Sequence, residues 1–189
     1  LMNSYLSFLI FPFVFQIYYY TLFKNVDDAG KVPTFDAVLL YNINSSDFSK
    51  IDLKKIYETN VFAPFNLTQK FIPKMNKRKK SHIINIGSIG GVQGSLKFAG
   101  LSAYSSSKMA LAGITECLAE EFKNTNIGFN CLALGAVQTE MLQKAFPGYK
   151  AKISAEKIAK CICDFAVNGH HFMNGRIIEV DGTKPIELK

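Results

Sequence analysis

Cysteine is scarce in this sequence, and the four present, Cys117, Cys131, Cys161 and Cys163, are scattered. Cys161 and Cys163 stand two apart in a helical pattern, so they point to different faces, and no histidine lies near enough to complete a metal-type spacing. A metal centre is therefore not expected, and reduced cysteines in a cytoplasmic protein are. No fixed-period repeat and no low-complexity block appears. No basic residue precedes the first apolar run and no small-residue cleavage site follows it, so a signal peptide is not expected either. What is present is a globular composition, 48% hydrophobic and 20% charged over 189 residues. That length suits one domain with a proper core and is short for two.

Acidic charge is also in short supply, and the formal balance is +7. The excess is local. Residues 50–80 hold nine Lys or Arg against two acids, much of it in the run Lys74-Met75-Asn76-Lys77-Arg78-Lys79-Lys80. A nucleic-acid surface would interleave such a patch with aromatic platforms or a reading element, and neither occurs. The run reads as a solvated loop between a helix and the next strand, with no nucleic-acid partner.

Leu1 to Phe23 is almost unbroken apolar and aromatic sequence. Its length matches the roughly 20 residues that cross a bilayer. Asn3, Ser4, Ser7, Pro12 and Gln16 interrupt it, and no basic residue precedes it to set an orientation. Buried strand material, a membrane-associated helix and the remnant of a damaged region all stay open, with membrane attachment not favoured. The chain thus divides into an apolar segment, 1–35, and a regular unit, 36–189.

In the second unit the pattern alternates. Asp36 to Tyr41 is a short apolar run ended by Asn42, a buried strand. Ser49 to Met75 carries an apolar stripe (Leu53, Ile56, Val61, Phe65, Leu67, Phe71) and reads as one helix stopped near Pro73. His82 to Ile86 is a strand running into Gly87-Ser88-Ile89-Gly90-Gly91. Ser102 to Lys123 is a helix with Leu111, Ile114, Leu118 and Phe122 on one face and Glu116, Glu120 and Glu121 on another. Ile127 to Ala133 is a strand. Ser154 caps a helix that runs to Val167 and stops at Asn168-Gly169. Arg176 to Val180 is the last strand, closed by Asp181-Gly182. Strands alternating with helices imply βαβ crossovers and a parallel sheet covered on both faces, an α/β fold. Ligands collect at the carboxyl ends of such strands, where the Ser88 loop and the segment after Ala133 both lie.

Tyr104 and Lys108 stand four apart near a helix start, so their side chains share one face. A free phenol has a pKa near ~10, and a fixed positive charge beside it is expected to lower that value toward working pH. Ser88, between a buried strand and a glycine-rich turn, can hydrogen-bond a carbonyl oxygen while Tyr104 supplies the proton. The pair alone is commonplace; its setting is not. Thr59-Asn60-Val61-Phe62-Ala63-Pro64, Asn85-Ile86-Gly87-Ser88, Ser102-Ala103-Tyr104-Ser105-Ser106-Ser107-Lys108, Ala133-Leu134-Gly135-Ala136-Val137-Gln138-Thr139 and Asn174-Gly175-Arg176-Ile177-Ile178-Glu179-Val180-Asp181-Gly182-Thr183 occur in one order. Across residues 36–183 that order resembles the short-chain dehydrogenase/reductase family.

The resemblance implies a Rossmann-like doubly wound sheet and an NAD- or NADP-dependent oxidoreductase interconverting a carbonyl and a secondary alcohol. It makes Tyr104 the general acid/base and has Lys108 lower its pKa and hold the nicotinamide ribose. Ser88 polarises the substrate carbonyl, and Asn60 supports a proton-relay water. Cofactor contacts fall on Tyr104, Lys108, Asn42, Ile86, Gly135, Val137 and Thr139. The family's helices corresponding to Ser49–Met75 and Ser102–Lys123 pair across a dimer, so a homo-oligomer is implied. Departures are visible. Leu134 replaces a proline before Gly135, Ser88 and Tyr104 are sixteen apart, a longer connection than the common one, and Tyr41-Asn42-Ile43-Asn44 replaces the family's Asn-Asn-Ala-Gly turn. No G-x-x-x-G-x-G or G-x-G-x-x-G precedes Asp36, where Gly30 is the only glycine. The N-terminal βαβ unit that cradles the pyrophosphate is expected to be reduced or missing. A catalytically inactive relic, retained as a binding or oligomerising module, is the alternative reading.

Overall fold

The computed structural model describes residues 45–47, 49–75 and 80–182. The apolar segment 1–23, the expected strand at Asp36 to Tyr41, Asn42 and Thr183 lie outside them, as do Asn76 to Lys79 of the basic run.

The first helical stretch is continuous but changes its winding along its length, the backbone staying right-handed helical through both junctions. Helix α1, Lys50–Tyr57, is capped by Ser49, whose hydroxyl accepts from the Asp52 N–H at 3.1 Å and donates to the Asp52 carboxylate at 2.6 Å. A π-turn, Glu58–Phe62, follows, and helix α2, Ala63–Phe71, continues to a short 3-10 turn at Ile72–Lys74. Covalent structure accounts for the change of winding. Pro64 has no N–H to give the Asn60 carbonyl, which is the rung an uninterrupted α-helix needs there.

Strand β1 is Ser81–Ser88, helix α3 is Ser102–Glu121 and strand β2 is Ile127–Leu134. A short strand β3, Val137–Gln138, leads into helix α4, Glu140–Ala145. Strand β4, Ile153–Ser154, precedes helix α5, Ala155–Asn168, and strand β5 is Arg176–Val180. Ser154 caps α5 through the Lys157 N–H, as its position in the sequence suggests. Gly169 does not end that helix in a left-handed turn; its φ is −60° and the chain runs on into a 3-10 turn, Gly169–His171.

The sheet is parallel in the order β1-β2-β5, and β3 pairs with β4. Its period of two sorts side chains onto two cores. Ile83 and Phe129 pack with Leu118 and Ala119 of α3. Leu132 and Val180, with Ile84, Ile86 and Ile178, pack on Ile158 and Phe165 of α5. The strands are covered on both faces, the doubly wound α/β arrangement. Register aligns the carboxyl edge: Ser88 pairs with Leu134, and Leu134 with Val180. Among the described residues no helix is long and apolar enough to cross a membrane.

Candidate active site

The carboxyl edge of β1 delivers Ser88, and the loop after it must come back onto α3. Gly91 permits this: a Cβ there would stand 2.7 Å from the Lys108 Cβ and 2.8 Å from the Lys108 carbonyl carbon. Any side chain would push the loop away from the helix at the position of the lysine. The Gly90 N–H donates to the Ser88 hydroxyl at 3.3 Å, which fixes that side chain at the start of the turn. Ser95 ties the loop back as well, its hydroxyl lying 2.5 Å from the Ile89 carbonyl.

Helix α3 supplies Tyr104 and Lys108 one turn apart. Tyr104 is hydrogen-bonded to Ser88. Lys108 is 3% exposed, its ammonium donates to the Ile86 carbonyl at 3.0 Å, and it lies 5.9 Å from the Tyr104 ring centre. Burial pushes the Lys108 amine down to about 8, with Cys131 opposing. Burial also pushes the Tyr104 phenol above its ordinary value, while its bond to Ser88 pulls it back. The net direction for Tyr104 is upward, opposite to the lowering expected from the charge of Lys108. Desolvation of the phenolate outweighs the favourable partner.

Asn60 reaches this group through α3. Its side-chain N–H donates to the Ser107 hydroxyl at 3.0 Å, and that hydroxyl donates to the Tyr104 carbonyl at 2.7 Å. Gly135 enters from β2: its N–H donates to the Val180 carbonyl at 2.9 Å. A Cβ on Gly135 would meet Ile89 and Asp181 at 3.2 Å, so glycine lets this segment close on the residue after Ser88. The structure thus brings together Asn60, Ile86, Ser88, Tyr104, Lys108 and Gly135. Val137 and Thr139 follow on β3 and at the N-cap of α4, where the Thr139 hydroxyl accepts from the Leu142 N–H at 3.2 Å. Asn42 lies outside the described residues.

Two residues of this neighbourhood escaped the sequence reading. Gly91 passed as one more glycine of a turn, although its place seventeen residues before Lys108 carries no visible signal. Ser107 passed as one of a serine run, and only its complete burial singles it out. Among the described residues no group of His, Cys, Asp and Glu is arranged to hold a metal ion.

Parallel strands covered on both faces, with a serine at their carboxyl edge and a tyrosine and buried lysine one helical turn apart, define a doubly wound α/β fold with a polar group at the strand ends. The family profile described as short chain dehydrogenase matches residues 37–150, more than half of the chain, and the chain belongs to that family. Nodulation protein G of Rhizobium sp. (strain N33) is 31% identical over 144 residues, 71% of this chain and 58% of that protein. The 3-oxoacyl-[acyl-carrier-protein] reductase FabG of Chlamydia trachomatis serovar D is 29% identical over 174 residues, covering 87% of this chain and 66% of that protein. The solved structure of 4-hydroxyisoleucine dehydrogenase complexed with NADH superposes with a TM-score of 0.62 at 28% identity, over 74% of this chain and 62% of that one. ElxO with NADP bound gives a TM-score of 0.65 at 26% identity, over 76% of this chain and 62% of that one. The chain therefore spans about three fifths of the length of these relatives.

Proposed function

We propose that the protein is an NAD(P)-dependent oxidoreductase interconverting a carbonyl and a secondary alcohol, with Asn60, Ser88, Tyr104 and Lys108 as its working group. The observation that carries this is the Tyr104 phenol, hydrogen-bonded to Ser88 and one turn from a buried lysine. The donor set fits the nicotinamide-ribose end of the cofactor: a phenol and an ammonium buried beside the Ile86 carbonyl. NADH and NADP occur in the solved relatives named above, which supports either cofactor here. Val137 and Thr139 are assigned to the carboxamide by the family motif.

When bound, the nicotinamide supplies or accepts the hydride. The chain's own residues handle the oxygen. Ser88 donates a hydrogen bond to the substrate oxygen, polarising the carbonyl. Tyr104 holds its proton at neutral pH because burial disfavours the phenolate, so it acts as the acid in reduction. Lys108, with its amine pushed down to about 8, fixes the ribose and stabilises the phenolate left behind. Asn60 supports the water that returns the proton.

The exposed apolar residues Ile51, Phe62 and Phe65 of this helical stretch support a homo-oligomer. Free cysteines suit a cytoplasmic setting. The purified chain, assayed on a panel of ketones and secondary alcohols with each of the four nicotinamide nucleotides, should turn over at least one pair. No turnover on any pair, with no thermal shift at millimolar cofactor, would return the chain to a non-catalytic module.

A further inference from the structure

The three serines between Tyr104 and Lys108 serve three different neighbours. Ser105 faces the glycine turn, 3.2 Å from where a Gly90 Cβ would stand. Ser106 accepts from the Tyr57 hydroxyl at 3.0 Å and donates to the Ala103 carbonyl at 3.1 Å, at an exposed position. Ser107 is fully buried, accepting from Asn60 and donating to the Tyr104 carbonyl. We propose that Ser107 is a positioning residue for the reaction: it pins the Asn60 side chain, and with it the π-turn, to the backbone of Tyr104.

The physical case has three parts. A hydroxyl is the smallest side chain that donates and accepts at once, and both capacities are used here. The Asn60 segment needs an outside tie, because Pro64 removes the helical donor for the Asn60 carbonyl and the α-ladder gives way to a π-turn. Water does not replace the bond if it is lost, since Asn60 is 7% exposed and Ser107 not at all. The neighbouring tie from Tyr57 to Ser106 is solvent-accessible, so water can take over its role. Burial thus makes Ser107 the tie that sets where Asn60 stands relative to Tyr104. The inference rests on the oxidoreductase reading and adds a residue to it.

The test uses the full chain and the substrate and cofactor pair found by the panel. S107A is expected to lose at least about tenfold in kcat with KM within about twofold, since orientation rather than binding is disturbed. S107T, which keeps the hydroxyl, should recover most of the loss, and S106A should stay near wild type. N60A combined with S107A should fall no further than the worse single variant, because both cut one chain of hydrogen bonds. Unchanged kcat in S107A, or losses that multiply in the double variant, overturns the proposal. Should S107A fail to fold, S107C decides, because a thiol fills the same space and is a weak donor and acceptor: kcat lost at constant KM supports the proposal, and kcat retained overturns it. A wild type inert on every pair overturns the oxidoreductase reading and this inference together, whereas an active wild type with an unaffected S107A overturns the inference alone.

Discussion

The two ends of the parallel sheet both bury polar side chains, and they use them in opposite ways. At the carboxyl end, Ser88, Tyr104 and Lys108 are groups whose protons can move. At the amino end, Asn130 is fully buried with its oxygen accepting from the Arg176 N–H at 3.0 Å. Its amide therefore donates, to the Met173 carbonyl at 3.0 Å and to His82 Nε2 at 2.8 Å. His82 Nδ1 lies 3.2 Å from the Ala166 carbonyl. A carbonyl accepts and an amide N–H donates, so one tautomer of His82 satisfies both contacts, with the proton on Nδ1. Protonating Nε2 would set two donors against each other. The amino end is thus a neutral clasp joining β1, β2, the end of α5 and the start of β5. The proton exchange proposed above belongs to one end of the sheet, and the hydrogen bonds of the other end forbid it.

That contrast predicts a crossed pattern of effects. Tyr104→Phe should lower turnover by roughly 10²–10⁴-fold while the midpoint of urea unfolding moves by less than about 1 kcal/mol equivalent. A large loss of stability here would erase the distinction. Asn130→Ala should do the reverse, costing about 2–4 kcal/mol because buried donors and acceptors lose their partners. Its kcat per folded molecule should match wild type; urea titration and active-site-normalised rates measure the two.

Acid should open the amino end first. Burial, opposed by the bond to Ala166 and aided by His170, holds the His82 imidazole down at about 4. Its unfolded value is near 6.5, so between pH 6.5 and 4 the unfolded chain binds more protons and stability rises with pH. The contribution is fully present above pH 6.5 and is lost as pH falls through 4. Solvent screening of a partly exposed ring reduces it to about 1–2 kcal/mol. Unfolding free energies measured across that window should show the slope in wild type and a flatter one in His82→Gln; equal slopes would break the assignment. The smallest effect belongs to neither end. Glu120 pairs with Lys123 on the surface, with side chains 72% and 57% exposed. Glu120→Ala should shift stability by less than about 0.5 kcal/mol and leave both ends as they are.

Legibility in the sequence followed the range of the interactions involved. Strands Ser81–Ser88, Ile127–Leu134 and Arg176–Val180 could be read within two residues from short apolar runs, and Ser154 as a cap from its place before a helical pattern. Tyr104 and Lys108 were readable because one helical turn fixes their relation without help from the rest of the chain. The π segment inside the helix expected from Ser49 to Met75 is not legible in its apolar stripe, which continues across Pro64. Periodicity registers which side chains are apolar and not which backbone N–H is absent.

What the sequence determined by itself was the alternation of elements, the parallel sheet and the order of the four residues proposed as the working group. Tertiary structure alone decided the rest. It set the direction of the Tyr104 shift, because desolvation depends on what surrounds the phenol and not on its neighbour in sequence. It chose Gly91 as the glycine that α3 requires and Ser107 as the serine that water cannot replace. It also gathered His82, Asn130 and Ala166, distant in sequence, into a clasp. Burial and hydrogen-bond partners belong to the packed chain, and no local pattern carries them.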